Sequence, residues 1–153
     1  MIKIVNAMPG LGKSLSEQQV RDFLARSKLN LQLGTIDEKG EPNIHPIWYI
    51  FENDRIYVTT SKKSKKAKNS LRQKLVYFSI DDESFPYKGV KGKGTVKSLE
   101  DINYNVKIAE KIITKYMGNL ENDLAKWIIN EIMQGNEAVL EINPKFYSAW
   151  SFA

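Results

Sequence analysis

Lys62, Lys63, Lys65, Lys66 and Lys68 place five cations within seven residues, directly after the hydroxyl run Thr59-Thr60-Ser61 and around Ser64. Without these five, the 23 Lys and Arg fall to 18, equal to the 18 Asp and Glu, so the net charge of +5 is local rather than general. A cation in the first turn of a helix opposes the helix dipole. An anion there gains free backbone N–H groups and the dipole together. A phosphate bound at this turn would reconcile the two, with lysines as point charges and hydroxyls as donors. The alternative is a solvated basic loop that keeps a small protein soluble.

Other chemistries are bounded by what the chain lacks. There is no cysteine, which removes disulfides, thiolate catalysis and zinc–sulfur sites and suits a reducing cytoplasm. One histidine, His45, excludes multi-histidine metal sites, and no metal is expected. Lysine outnumbers arginine 19 to 4, so bidentate arginine recognition is not a theme of this chain. No apolar run reaches the roughly 20 residues of a membrane span, and Met1–Gly12 lacks the apolar region of a signal peptide. The expectation is a soluble cytoplasmic protein without membrane contact.

The elements that must position the lysine turn follow from pattern. At 153 residues the chain fits one domain, 1–153, opened by an irregular arm over 1–14. Ser16-x-x-Gln19 is a capping box, and Val20, Phe23 and Leu24 follow at helical spacing, which predicts a helix over Ser16–Ser27. Leu29, Leu31 and Leu33 alternate as in a strand, and Asp37–Gly40 makes a turn. Strands are predicted at Asn43–Phe51, at Ile56–Thr60 after the Asn53-Asp54 turn, and at Leu75–Ile80. A helix over about Ser64–Gln73 lies between the last two, and Asp81–Pro86 reads as a loop.

From Lys88 to Leu99 a strand pattern is interrupted by Gly89, Gly92 and Gly94, which mark a bulge, a barrel corner or a close approach. Two helical stripes follow, Val106/Ala109/Ile113/Met117 and Leu120/Leu124/Trp127/Ile128, both expected in the core. Glu137–Ile142 and Lys145–Phe152 read as closing strands separated by Asn143-Pro144. Six or so strands joined mostly by hairpins, with helices inserted rather than alternating, predict an α+β fold: an antiparallel barrel with peripheral helices.

The stretch Leu33-Gly34-Thr35-Ile36-Asp37-x-x-Gly40-x-Pro42-x-Ile44-His45-Pro46-Ile47-Trp48-Tyr49 resembles the first hairpin of the pyridoxamine 5′-phosphate oxidase-like flavin-binding split barrels. The resemblance continues through Ile56–Ser61, Ser64-Lys65-Lys66-x-x-Asn69-x-Leu71, Asp81-Asp82 and Gly89–Gly94, and more loosely through Val139–Trp150. It implies a six-stranded split β-barrel and a homodimer with FMN in a groove between the subunits, acting as an oxidoreductase on a small molecule. By position it also implies that Thr60, Lys65 and Lys66 hold the flavin phosphate, with Thr59 and Ser61 alongside. The backbone of Pro46, Ile47 and Trp48 would border the isoalloxazine ring.

Members often carry Arg where this chain has Lys65, which exchanges a bidentate clamp for a point charge. The family's oxidases also commonly have a glutamine where this chain has Gly89, and a C-terminal arginine, whereas no arginine follows Arg72 here. Both departures weigh against vitamin B6 oxidase activity.

Several residues carry a functional and a packing reading side by side. His45 would face the flavin edge and exchange a proton near neutral pH, or simply pack. Trp48 is a ring neighbour or core, and Trp150 a pocket cover or core. Tyr87 and Lys88 reach the partner's site or form a surface loop, while Asp81 and Asp82 shape a turn. Three other functions compete with the FMN reading. Small relatives divide between FMN and the deazaflavin F420, whose acidic tail would suit Lys62, Lys63 and Lys68. A flavin or tetrapyrrole carrier would bind without turnover. A nucleic-acid-binding barrel would use Tyr57, Tyr77 or Trp48 for stacking, which the scarcity of arginine disfavours.

Overall fold

The computed structural model describes all residues, 1–153. Eight strands and four helices follow in the order β1 (Lys3–Asn6), α1 (Glu17–Arg26), β2 (Leu31–Ile36), β3 (Pro42–Ile47), β4 (Ile50–Glu52), β5 (Arg55–Ser61), α2 (Lys65–Gln73), β6 (Leu75–Asp82), β7 (Lys88–Leu99), α3 (Ile102–Met117), α4 (Asp123–Met133) and β8 (Glu137–Ser151). Seven strands run β3-β2-β6-β7-β8-β5-β4 as antiparallel neighbours, and β1 adds to β8 in parallel. The sheet curls into an α+β split barrel with helices at its periphery. Eight strands thus stand where the family resemblance implies six and the sequence pattern marks seven segments, and three local differences from that pattern make the count.

The first lies at the N-terminus. Residues 1–14 are not irregular throughout, because β1 pairs with Phe146–Ala149 of β8. A four-residue strand whose partner lies at the far end of the chain leaves no periodic trace. The second cause lies at Trp48-Tyr49, where the strand expected over Asn43–Phe51 divides into β3 and β4. The backbone of Tyr49 is served by α3 instead of a neighbouring strand: its N–H donates to the Tyr116 hydroxyl at 3.4 Å and its carbonyl accepts from Lys115 Nζ at 3.0 Å.

The third difference runs the other way. Asn143-Pro144 does not separate two strands, and β8 continues for fifteen residues. On one side β5 pairs with Glu137–Ile142 and β1 resumes at Phe146, so Pro144, which has no N–H to donate, falls in the gap between these two partners. On the other side the register with β7 slips between Gly94↔Pro144 and Lys93↔Phe146, leaving Lys145 as the extra residue of a bulge. Gly92 and Gly94 of β7 share the inner face with the core residues Val90 and Val96, where space is short, whereas Gly89 lies on the other face against Trp150. A Cβ on Gly92 would lie 2.6 Å from both the Phe146 carbonyl oxygen and the ring of Phe78.

The barrel interior holds one apolar cluster, including Val20 and Leu24 of α1, Leu31, Leu33, Ile56, Val58, Phe78, Ile80, Leu140 and Ile142. Alternation along β5 and β8 turns Tyr57 and Val139 to the opposite face, where Ile108, Ala109 and Ile112 of α3 and Ile132 of α4 cover them in a second cluster. The stripe expected on α3 is thus displaced toward Ile108, Ala109, Ile112 and Ile113. The stripe expected on α4 is core only at Ile128, which packs on the second cluster: Leu124 is 45% and Trp127 55% exposed, and the helix buries Ala125 and Ile132. Asn53 and Asp54, at φ 51° and 58°, close the β4–β5 hairpin in the left-handed conformation that short polar side chains tolerate. Asp81 and Asp82 extend β6 rather than opening the loop. No helix is long and apolar enough to cross a membrane.

Candidate cofactor site

The lysine turn is built by local hydrogen bonds. Ser64 caps α2, its Oγ accepting from the Ala67 N–H at 3.2 Å, while Thr60 Oγ1 lies 3.0 Å from the same oxygen. Ser61 Oγ accepts from the Lys63 N–H at 3.2 Å, and the Ser64 N–H reaches the Ser61 carbonyl. Lys65 and Lys66 occupy the first two helical positions, whose N–H groups have no carbonyl four residues back within the helix. No acidic residue stands in that first turn. The turn therefore offers hydroxyls, two ammonium groups and unpaired amides to an anion, a donor set that fits a phosphate. Lys62, Lys63, Lys65 and Lys68 are exposed, and Lys66 is half-buried.

Beside this turn lies a cleft of about 250 Å³. Pro46, Ile47 and Trp48 line it together with Thr59 of β5. Ile112 of α3 and Trp127 of α4 complete the lining, in which Glu137 is the one ionisable group. Trp48 is held by Tyr116, whose ring lies parallel to it with centroids 4.9 Å apart. The lining is mostly apolar, with Thr59 and Glu137 as its polar side chains, a surface that suits a planar ring.

Glu137 belongs to no motif in the sequence. It opens β8 directly opposite Ser61 and is buried. Burial pushes its carboxyl above the usual range, with Glu131 adding to the effect and Thr59 and Lys66 acting against it. Nothing near Glu137 in sequence signals this, because the groups that set its state lie on β5, α2 and α4.

His45 projects from β3, an edge strand paired only with β2, which is why Pro42 and Pro46 are accommodated within it. Burial lowers the His45 pKa, and the charges of Lys66 and Lys65 lower it further. Its Nε2 lies 3.0 Å from Thr35 Oγ1. Asn69 Nδ2 donates to that same hydroxyl oxygen at 3.1 Å, and Arg72 donates to Asn69 Oδ1 at 3.0 Å. Asn69 and Thr35 are buried, so α2 contributes to the site from its inner face as well as from its lysines.

The structure brings His45, Pro46, Ile47, Trp48, Thr59, Thr60, Ser61, Lys65 and Lys66 to one end of the sheet. It places Tyr87, Lys88 and Trp150 elsewhere. Lys88 and Trp150 lie at the far end of β8, where Lys88 pairs with Ser151 and Trp150 with Gly89. Tyr87 packs on Trp150 and Phe152, with centroids 5.7 and 5.9 Å away, and Lys88 Nζ stands 5.6 Å from the Phe23 ring centroid. Within one chain these three do not reach the lysine turn.

The sequence pattern of the family described as pyridoxamine 5′-phosphate oxidase matches residues 16–151. Among solved structures, a conserved hypothetical protein from Mycobacterium tuberculosis is similar with a TM-score of 0.77 at 23% identity, over 94% of this chain and 89% of its own. An FAD-binding protein from Mesorhizobium loti gives a TM-score of 0.70 at 16% identity, over 94% and 99%. An F420 reductase gives 0.63 at 19%, over 83% and 94%. At such identities these likenesses show the shared fold. No curated protein matches the chain.

Proposed function

Because the chain belongs to the pyridoxamine 5′-phosphate oxidase family, whose chemistry is that of flavin-type cofactors, we propose that it is an FMN-dependent oxidoreductase acting on a small molecule. The observation that carries this reading is the junction of two unlike environments: an anion-binding turn at Thr60–Lys66 and, beside it, an apolar cleft between Trp48 and Trp127. Bound FMN would supply the electron-transfer chemistry. The chain's own residues would bind and orient it. Thr60, Ser61, Lys65 and Lys66 would hold the phosphate, Pro46, Ile47, Trp48 and Thr59 would border the ring, and Trp48 and Trp127 would exclude water from one side.

The working unit in this proposal is a homodimer with the cofactor between subunits. Tyr87, Lys88 and Trp150, remote from the lysine turn of their own chain, would serve the site of the partner. A second reading, F420 in place of FMN, is favoured by the exposed Lys62, Lys63 and Lys68, which would receive a longer acidic tail. The test is the absorption spectrum between about 300 and 500 nm after incubation with FMN or F420 and desalting. Retained FMN with reduction by a nicotinamide donor supports the proposal, and retained F420 alone selects the second reading. Retention without reduction leaves a carrier, and no retained chromophore sinks both cofactor readings.

A further inference from the structure

His45 is held by hydrogen bonds that run in one direction, and we infer that they fix its ring as the neutral tautomer with the proton on Nδ1, so that His45 meets a ligand as a hydrogen-bond donor. The direction is set at Arg72. A guanidinium only donates, so the Asn69 atom 3.0 Å from Arg72 Nη2 is the carbonyl oxygen. The same Arg72 nitrogen donates to the Ile36 carbonyl at 2.9 Å, which anchors it. The Asn69 amide nitrogen must then face Thr35 and donate to Oγ1 at 3.1 Å. Thr35 is buried, and its one hydroxyl proton has a single partner in reach, His45 Nε2 at 3.0 Å. An unpaired hydroxyl proton at that depth is costly, so Thr35 donates and Nε2 accepts.

A ring nitrogen that accepts carries no proton, and the neutral imidazole then bears its proton on Nδ1. Lys65 and Lys66 are the charged groups whose fields reach the ring, and both oppose a second proton on it. Arg72, Asn69 and Thr35 are thus positioning residues. What they position is a neutral N–H donor suited to a carbonyl, ring-nitrogen or phosphate oxygen acceptor. The tautomer assignment stands on this chain's hydrogen bonds alone, while its use toward FMN rests on the functional reading above.

His45 is the only histidine, so imidazole nitrogen NMR reads it without ambiguity. The expected spectrum of the protein alone at neutral pH shows a protonated Nδ1 and an unprotonated Nε2. The reverse pattern overturns the inference. Asn69→Asp presents an acceptor to Thr35, turns its hydroxyl around and is expected to move the ring proton to Nε2, whereas Thr35→Ser keeps it on Nδ1. A folded Asn69→Asp protein with an unchanged tautomer overturns the inference. Added FMN is expected to shift Nδ1 with the ring still neutral. Retained FMN without that shift refutes the donor role, and failure to retain FMN with the Nδ1 proton in place refutes the flavin reading alone.

Discussion

Trp150 lies against the backbone of Gly89, so closely that a methyl group at residue 89 would stand 2.8 Å from Cη2 of the indole and 2.8 Å from the Cβ of Asp81. Gly89 and Trp150 are paired across β7 and β8, and the indole fills the space that a side chain on β7 would use. Gly89→Gln, which installs the residue common in the family's oxidases, is expected to destabilise the fold by about 1–3 kcal/mol through overpacking. In a Trp150→Ala background the same change should cost distinctly less, although Asp81 still crowds the site. Urea denaturation of the four proteins measures the difference; equal costs in both backgrounds would show that the indole is not the obstacle.

The lysines of the turn are not equivalent. Lys66 is half-buried at the second position of α2, whereas Lys62 is exposed before the helix begins. Lys66→Ala is expected to weaken FMN binding by about 1.5–3 kcal/mol, the range of a hydrogen bond to a charged group. Lys62→Ala should change it far less. Titration of flavin fluorescence decides, and equal small effects would return the cluster to a solvated basic run.

Glu137 predicts a pH dependence of defined sign. Its folded-state pKa is raised above the ordinary value of 4.5, chiefly by burial. Its contribution to stability is therefore complete below about pH 4.5 and is lost as pH rises through the folded value. Glu137→Gln keeps the shape and removes the charge, so it should melt higher than the parent at pH 7, with the advantage fading below pH 4.5. A variant that melts lower at pH 7 and no differently at pH 4 would contradict this account.

Trp48 of the cleft lining stacks on Tyr116, whose hydroxyl also donates to the Leu29 carbonyl at 3.0 Å. A double-mutant cycle with Trp48→Leu and Tyr116→Leu is expected to give a coupling of about 0.5–1.5 kcal/mol beyond area burial. Additive costs would mean that the parallel rings are neighbours without energetic consequence.

What could be read from the chain concerned short-range relations. The capping box Ser16/Gln19 closes as its spacing predicts, with both reciprocal bonds formed. Asn53-Asp54 makes its turn, and Ser64 starts the helix that carries the lysines. The ordered motifs from Leu33 to Gly94 pointed to the split barrel that the structure forms. The α4 stripe differs from its periodicity because periodicity reports amphipathicity and not what covers the apolar face: α4 packs through Ala125, Ile128 and Ile132, leaving Trp127 exposed in the cleft lining.

By itself, then, the sequence determined the lysine turn, the hairpins and the family, since caps, turns and charge runs depend on residues within a few positions of one another. Only the tertiary structure decided that β1 joins β8, that Glu137 sits beneath Thr59 and Lys66, and that Arg72, Asn69 and Thr35 direct the ring of His45. These relations join residues from separate elements. Strand register and helix placement bring them within hydrogen-bond distance, and the loss of water around buried groups sets their protonation.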